Sequence, residues 1–108
     1  MDTADLRDLV RFSEDEARRH TVVDSGRMWC QLVCLQGNQS VGPMSDPDAE
    51  GFCTILSGEV ALQVGRRRAR MKQWEAAHVQ AGEPLTMTNA SGEPSVVLLV
   101  LAPPPTQS

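Results

Sequence analysis

The sequence predicts an all-β fold, a small barrel or sandwich of short strands, and three observations carry that prediction. Between Asp46 and Asn89 apolar and polar side chains alternate with period two, the pattern of strands buried on one face. Turns built on glycine, at Gly58 and Gly65 among others, divide this stretch into short strands about ten residues apart. Ser95 to Ala102 is a continuous apolar run halted by Pro103-Pro104-Pro105, which reads as a strand buried on both faces. Such a meander calls for closure, because unpaired strand edges template aggregation.

Taken in order, residues 1–20 read as an N-terminal arm or short helix. Leu6, Leu9 and Val10 have helical spacing after candidate caps at Asp2 or Thr3, and Ser13 with Glu16 fits a capping box. Leu9 to Phe12 also alternates acceptably as a strand, and Leu9 and Phe12 are the expected anchors. The barrel is placed at 21–102. Thr21 to Asp24 is its first strand, ended by the Asp24-Ser25-Gly26 turn. Arg27 to Leu35 is longer, with Met28, Cys30, Leu32 and Cys34 on one face and Trp29, Gln31, Val33 and Leu35 on the other. Both faces are largely apolar, so the strand is expected to lie between two layers or to have its Trp29, Val33 and Leu35 face covered by a second subunit. A homodimer is the partner this predicts, since that face left bare would be a sticky patch.

Gly37-Asn38 turns the chain, and Pro43 and Pro47 rule out a central regular strand over 41–49. Residues 50–60 read as strand, tight turn at Gly58, strand; Val60, Leu62 and Val64 then share one face and Glu59, Ala61 and Gln63 the other. After the Gly65-Arg66-Arg67 turn, Ala69 and Met71 alternate with Arg68, Arg70 and Lys72. Asn89 to Pro94 is a further turn, and 103–108 form a Pro-rich tail.

Residues 74–89, Trp-Glu-Ala-Ala-His-Val-Gln-Ala-Gly-Glu-Pro-Leu-Thr-Met-Thr-Asn, resemble the second cupin motif: Gly, five residues, Pro, any, Gly, two residues, His, three residues, Asn. The spacing fits without a gap. Gly82 and Asn89 are kept, whereas Trp74 stands for Gly, Gln80 for Pro and Leu85 for the metal-binding His. The first motif, His-x-His, four residues, Glu, six residues, Gly, overlays ungapped with its last Gly on Gly58, placing its other slots on Met44, Asp46 and Gly51. The resemblance spans about residues 22–102 and implies a cupin-like double-stranded β-helix, the jelly-roll barrel. Its members hold Mn, Fe, Ni or Zn on three His and one Glu. In this chain those slots are Met44, Asp46, Gly51 and Leu85, and Asp46 alone offers a hard oxygen or nitrogen. Glu50 neighbours the Glu slot, but strand alternation points it away from the cavity unless a bulge intervenes.

Counting in twos from those slots puts Cys53 and Ile55, and Met87 and Asn89, on the cavity face with Met44. The expected ligand-binding lining is therefore Met44, Asp46, Cys53, Ile55, His78, Leu85, Met87 and Asn89. His78 is also read as a structural or interface histidine, since no partner for acid-base work is visible in the sequence. His20 lacks even that context. Soft metal on Met44, Cys53 and Met87 is chemically allowed, but Met and Cys at such positions are ordinarily core.

Composition narrows the function. At 108 residues and 41% apolar the chain makes one domain with a real core. A net charge of -4 and pI near 5.0 argue against nucleic-acid or anionic-membrane partners. Arg66, Arg67, Arg68, Arg70 and Lys72 are half of the ten cations, yet the chain has no Tyr to stack bases and they read as a solvated hairpin. No apolar run approaches the roughly 18 residues of a membrane span, and the acidic first residues do not suit a signal peptide, so the cytoplasm is expected. Cys30, Cys34 and Cys53 cannot all pair. Cys30 and Cys34 lie roughly 13 Å apart along a strand, beyond disulfide reach, and free buried thiols are expected. No phosphate loop, nucleophile elbow or zinc spacing is present.

The function expected is a small-molecule-binding cupin without the three-His, one-Glu site or any cofactor, its ligand small and apolar or aromatic. The alternatives are a metal-dependent oxygenase or isomerase with an atypical ligand set, and a non-catalytic partner-binding domain; fold alone does not choose among these.

Overall fold

β-branched and apolar residues alternating with polar ones favour pleated, half-buried strands, and nine form among the described residues, 1–105 of this computed structural model: β1 Arg18–Asp24, β2 Trp29–Leu35, β3 Ser40–Met44, β4 Glu50–Ser57, β5 Glu59–Val64, β6 Arg67–Lys72, β7 Ala76–Val79, β8 Leu85–Thr88 and β9 Ser95–Ala102. They make two antiparallel sheets, ordered β1-β2-β9-β4-β7 and β3-β8-β5-β6, facing each other as an all-β cupin-like jelly roll. The last three residues of the expected tail lie outside the described residues. Among the described residues no helix is long and apolar enough to cross a membrane.

Between the sheets Val33, Leu35, Ile55, Val60, Leu62, Val97 and Leu99 pack into one buried core. Val60 and Leu62 point inward as their alternation requires. β6 is the edge of its sheet, so of its apolar pair Met71 packs on the core while Ala69 stays exposed. β3 carries Pro43 as an edge strand with an irregular step between Val41 and Met44, the place where a missing N–H breaks no ladder.

The N-terminal segment is an arm with one 3-10 turn, Leu6–Leu9, capped by Asp5, whose side chain accepts the Arg7 amide at 3.0 Å. Its Leu9, Val10 and Phe12 lie on Leu32, Cys34 and Val96, and Ser13 O accepts the Gln39 amide nitrogen at 2.6 Å. Strand structure begins at Arg18, earlier than the expected Thr21.

This arm corrects the argument for a dimer. Trp29, Val33 and Leu35 are not a bare face: they point into the core and are 9%, 0% and 0% exposed. The opposite face, Leu32 and Cys34, lies under the chain's own arm. A strand apolar on both sides reads the same whether its second cover comes from the same chain or another. On the outer face a row runs through Val23, Cys30, Val100 and Phe52, paired across β1, β2, β9 and β4; its ends, Val23 and Phe52, are exposed while Cys30 is buried.

The retained glycine of the first motif acts on the backbone. Gly58 turns β4 into β5 at φ +78°, and a Cβ there would meet Pro94 O at 2.5 Å and Ser95 Cα at 2.9 Å, so any side chain collides. Trp74, standing where the family has glycine, adopts the same left-handed conformation at φ 75°. It is 76% exposed, and its amide donates to Ile55 O at 2.8 Å.

Candidate functional site

The barrel is filled at one end and open at the other. At the open end β1, β2 and β9, the start of β4, and the loops after β3 and β7 surround a cavity of about 490 Å³, within the roughly 300–1,000 Å³ of small-molecule sites. Met44, Asp46, Gly51 and Leu85, the four positions matched to the family's metal ligands, all line it. Trp29, Ala49, Val79 and Leu101 complete an apolar wall, and Arg19, Thr21, Asp24, Gln31, Gln80 and Glu83 supply polar groups.

Five residues expected on this wall are placed elsewhere, and two of them, Asn89 and His78, have specific polar partners. Cys53, Ile55 and Met87 do face inward, but they are wholly buried in the core. Each lies two or more residues beyond a slot position along its strand, where the two sheets already touch. Asn89 is wholly buried as well; its Nδ2 donates to Leu35 O at 3.0 Å and Glu93 O at 2.7 Å, and its Oδ1 accepts from the Ser91 amide and hydroxyl. It ties the β8–β9 turn to the end of β2. His78 also leaves the wall: Val79 is the inward residue of β7, so alternation turns His78 outward. There its Nε2 contacts the Glu50 carboxylate, and Glu50 accordingly points away from the cavity.

Asp46 is buried, and its Oδ1 accepts the amides of Asp48 at 2.8 Å and Ala49 at 3.0 Å. Its carbonyl accepts the Gly82 amide at 2.8 Å, joining the two motifs through the backbone. Gly51 is closely enclosed: a Cβ there would lie 3.1 Å from Leu101 Cδ2 and 3.3 Å from Val79 Cβ. Met44 offers a thioether, Gly51 and Leu85 offer no donor, and Asp46 one carboxylate already engaged by amides. This set does not fit a three-His, one-carboxylate metal centre. Nor do the described residues contain another group of three His, Cys, Asp or Glu able to hold a metal ion.

Arg19, Thr21, Trp29 and Gln31 were missed as cavity residues by sequence reasoning. Thr21 pairs with Gln31, and Arg19 with Val33, so all face inward with Trp29. The signal was there, in the alternation of Arg19 and Thr21 with His20 and Val22, had β1 been started three residues earlier. Arg19 Nε donates to Gln31 Oε1 at 2.7 Å, and its guanidinium carbon lies 6.0 Å from the Trp29 ring centre. Burial pulls the Arg19 pKa below its ordinary value, with no carboxylate offsetting it.

All three cysteines are free and buried. Burial pushes the Cys53 thiol up to about 11, only partly opposed by a hydrogen bond from the Ala77 backbone, so it is not a nucleophile at neutral pH.

Comparison with known proteins agrees with this fold. The family model described as Cupin domain matches residues 31–101. Among solved structures, the chain resembles TT1209 from Thermus thermophilus, with 30% identity, TM-score 0.93, and coverage of 97% of this chain and 100% of that one. A double-stranded β-helix protein from Klebsiella pneumoniae has 22% identity and TM-score 0.87, covering 94% and 89%. An RmlC-like cupin protein from Desulfovibrio desulfuricans has 19% identity and TM-score 0.85, covering 96% and 98%. No curated protein matches the chain.

Proposed function

The chain belongs to the cupin family, and from that premise we propose that its barrel binds a small, largely apolar or aromatic molecule at the place where other members hold a metal. One observation carries this reading: Met44, Asp46, Gly51 and Leu85 converge on a single cavity of about 490 Å³ while supplying one hard donor among them. Apolar walls with a few converging polar groups suit recognition of an organic ligand. In this reading Leu85, Met44 and Trp29 give the ligand its apolar contact, and Asp46 is a polar determinant near the opening. Three free thiols suit a reducing compartment such as the cytoplasm.

The test is a thermal-shift screen of the natural protein against a panel of small acids, amines and aromatic metabolites, repeated on Leu85→Trp and Met44→Trp. Leu85 is 2% exposed and Met44 half-buried, so the second variant fills the cavity with less strain on the core. A ligand that stabilises the natural protein and neither folded variant supports the reading. About one Fe, Mn, Ni or Zn per chain in natively purified, untagged protein would replace it with the metal-dependent enzyme. No ligand and no metal would favour the partner-binding domain.

A further inference from the structure

We propose that the mouth of the cavity is an anion subsite, in which the Arg19 guanidinium takes the carboxylate of a small monocarboxylic acid whose aromatic or branched body lies against Trp29, Leu85 and Leu101. This rests on the small-molecule reading above and assigns the ligand a charge.

A guanidinium is a planar fork of five N–H donors that matches a carboxylate edge to edge. In Arg19 one donor is used: Nε–H donates to Gln31 Oε1 at 2.7 Å. Gln31 is itself steadied by Thr21, whose Oγ1 accepts its amide nitrogen at 3.5 Å. The Trp29 ring, 6.0 Å from the guanidinium carbon, orients the cation from a second side. With Nε and the ring face committed, the terminal nitrogens are the free edge of the fork. The ion pairs among the described residues are Arg7–Asp5 and Arg70–Glu59, His78 contacts Glu50, and Arg19 is in none of these pairs. A partly desolvated cation with no carboxylate within ion-pair distance gains from an anion that displaces water from its free edge.

The same cavity carries Asp24, Asp46 and Glu83, and these narrow the ligand further. Backbone amides already donate to two of them: Asp46 Oδ1 accepts those of Asp48 and Ala49, and Glu83 Oε1 accepts that of Gln80 at 3.3 Å. Their negative field remains, however, and it disfavours a second carboxylate on the ligand. One carboxylate placed at Arg19, with an uncharged body turned toward the apolar wall, satisfies both conditions.

Benzoate, benzamide and benzylamine share a shape and differ in charge, which makes them the probes. They are titrated into the full chain by calorimetry or saturation-transfer NMR, at low and high salt, with Arg19→Gln, Arg19→Lys and Met44→Trp as variants and thermal unfolding as the control for folding. Benzoate is expected to bind about tenfold tighter than benzamide. Added salt should erode that preference, Arg19→Lys should reduce it, and Arg19→Gln should abolish it. Met44→Trp should remove all binding. Equal binding of benzoate and benzamide, a preference unchanged in Arg19→Gln, or tightest binding of benzylamine would each overturn the anion subsite while leaving the cavity as a binding site. No binding of any of the three, together with an empty metabolite screen, would remove the cavity reading and the subsite with it.

Discussion

Replacing Asn89 tests what the retained half of the cupin motif is for. Its side chain makes four hydrogen bonds from a wholly buried position, two as donor to Leu35 O and Glu93 O and two as acceptor from Ser91. In Asn89→Ala, Leu35 O loses its side-chain donor in the closed core, where an orphaned acceptor costs about 1–3 kcal/mol. The Glu93 and Ser91 groups lie nearer solvent, and water recovers part of their loss, leaving roughly 0.5–1.5 kcal/mol each. The sum is about 3 kcal/mol, or a fall in Tm of roughly 10–20 °C for a domain of this size. Asn89→Asp is the sharper variant. It keeps the acceptor for Ser91 but turns a carboxylate oxygen toward two carbonyls, which raises its folded pKa above the ordinary value near 3.9. The extra penalty is absent below that value, grows as pH rises to the folded pKa, and is constant above it. Urea titrations at pH 4 and pH 7 measure both effects. An Asn89→Ala loss under about 1 kcal/mol, or an Asn89→Asp deficit equal at the two pH values, would refute a structural role for this residue.

Trp74→Gly should stabilise the protein by about 0.5–1 kcal/mol, since the left-handed conformation is strained for any L side chain and an exposed ring gives up little packing; an unchanged or lowered Tm contradicts this. Met44→His, Asp46→His, Gly51→Glu and Leu85→His together should create a metal site, with the metal-free variant less stable by at least about 2 kcal/mol because the new Glu crowds Leu101 and Val79 and the Asp46 bonds are lost. Zn or Mn should restore much of that loss in thermal shift, and no metal-dependent rise would sink the slot assignment. Cys53 favours its neutral thiol in the folded state, so its contribution is complete below the ordinary value of 9.0 and is lost as pH rises through about 11. Denaturation between pH 8 and 11 should show about 2–3 kcal/mol of alkaline destabilisation that Cys53→Ala lacks; identical pH slopes would exclude Cys53 as the source.

The residues that made the fold legible and those that make the site are different sets. Gly58, Gly82 and Asn89 survive from the motifs because each shapes backbone: a turn no Cβ can enter, an amide given to Asp46 O, a cluster of bonds across three segments. Spacing alone therefore located the barrel and the four slot positions that line its cavity. Depth was not legible. Period two assigns Cys53, Ile55 and Met87 to the inner face but does not say where along the strand the sheets meet, and these three lie past that point. Arg19 was missed for another reason: the first strand was expected to start at Thr21, three residues after its start at Arg18, which left Arg19 and its partner Val33 out of the pairing.

The order of strands in the larger sheet also has a consequence for how this chain is made. β9 pairs with both β2 and β4 at the sheet's centre, yet of the nine strands it is the last to be synthesised. Until residues 95–102 have left the exit tunnel, β2 and β4 have no partner between them, and the arm's Leu9, Val10 and Phe12 lack the Val96 part of their seat. Such long-range pairing folds slowly, so the nascent chain spends its synthesis, at some 5–20 residues per second, with two apolar strands open at their edges.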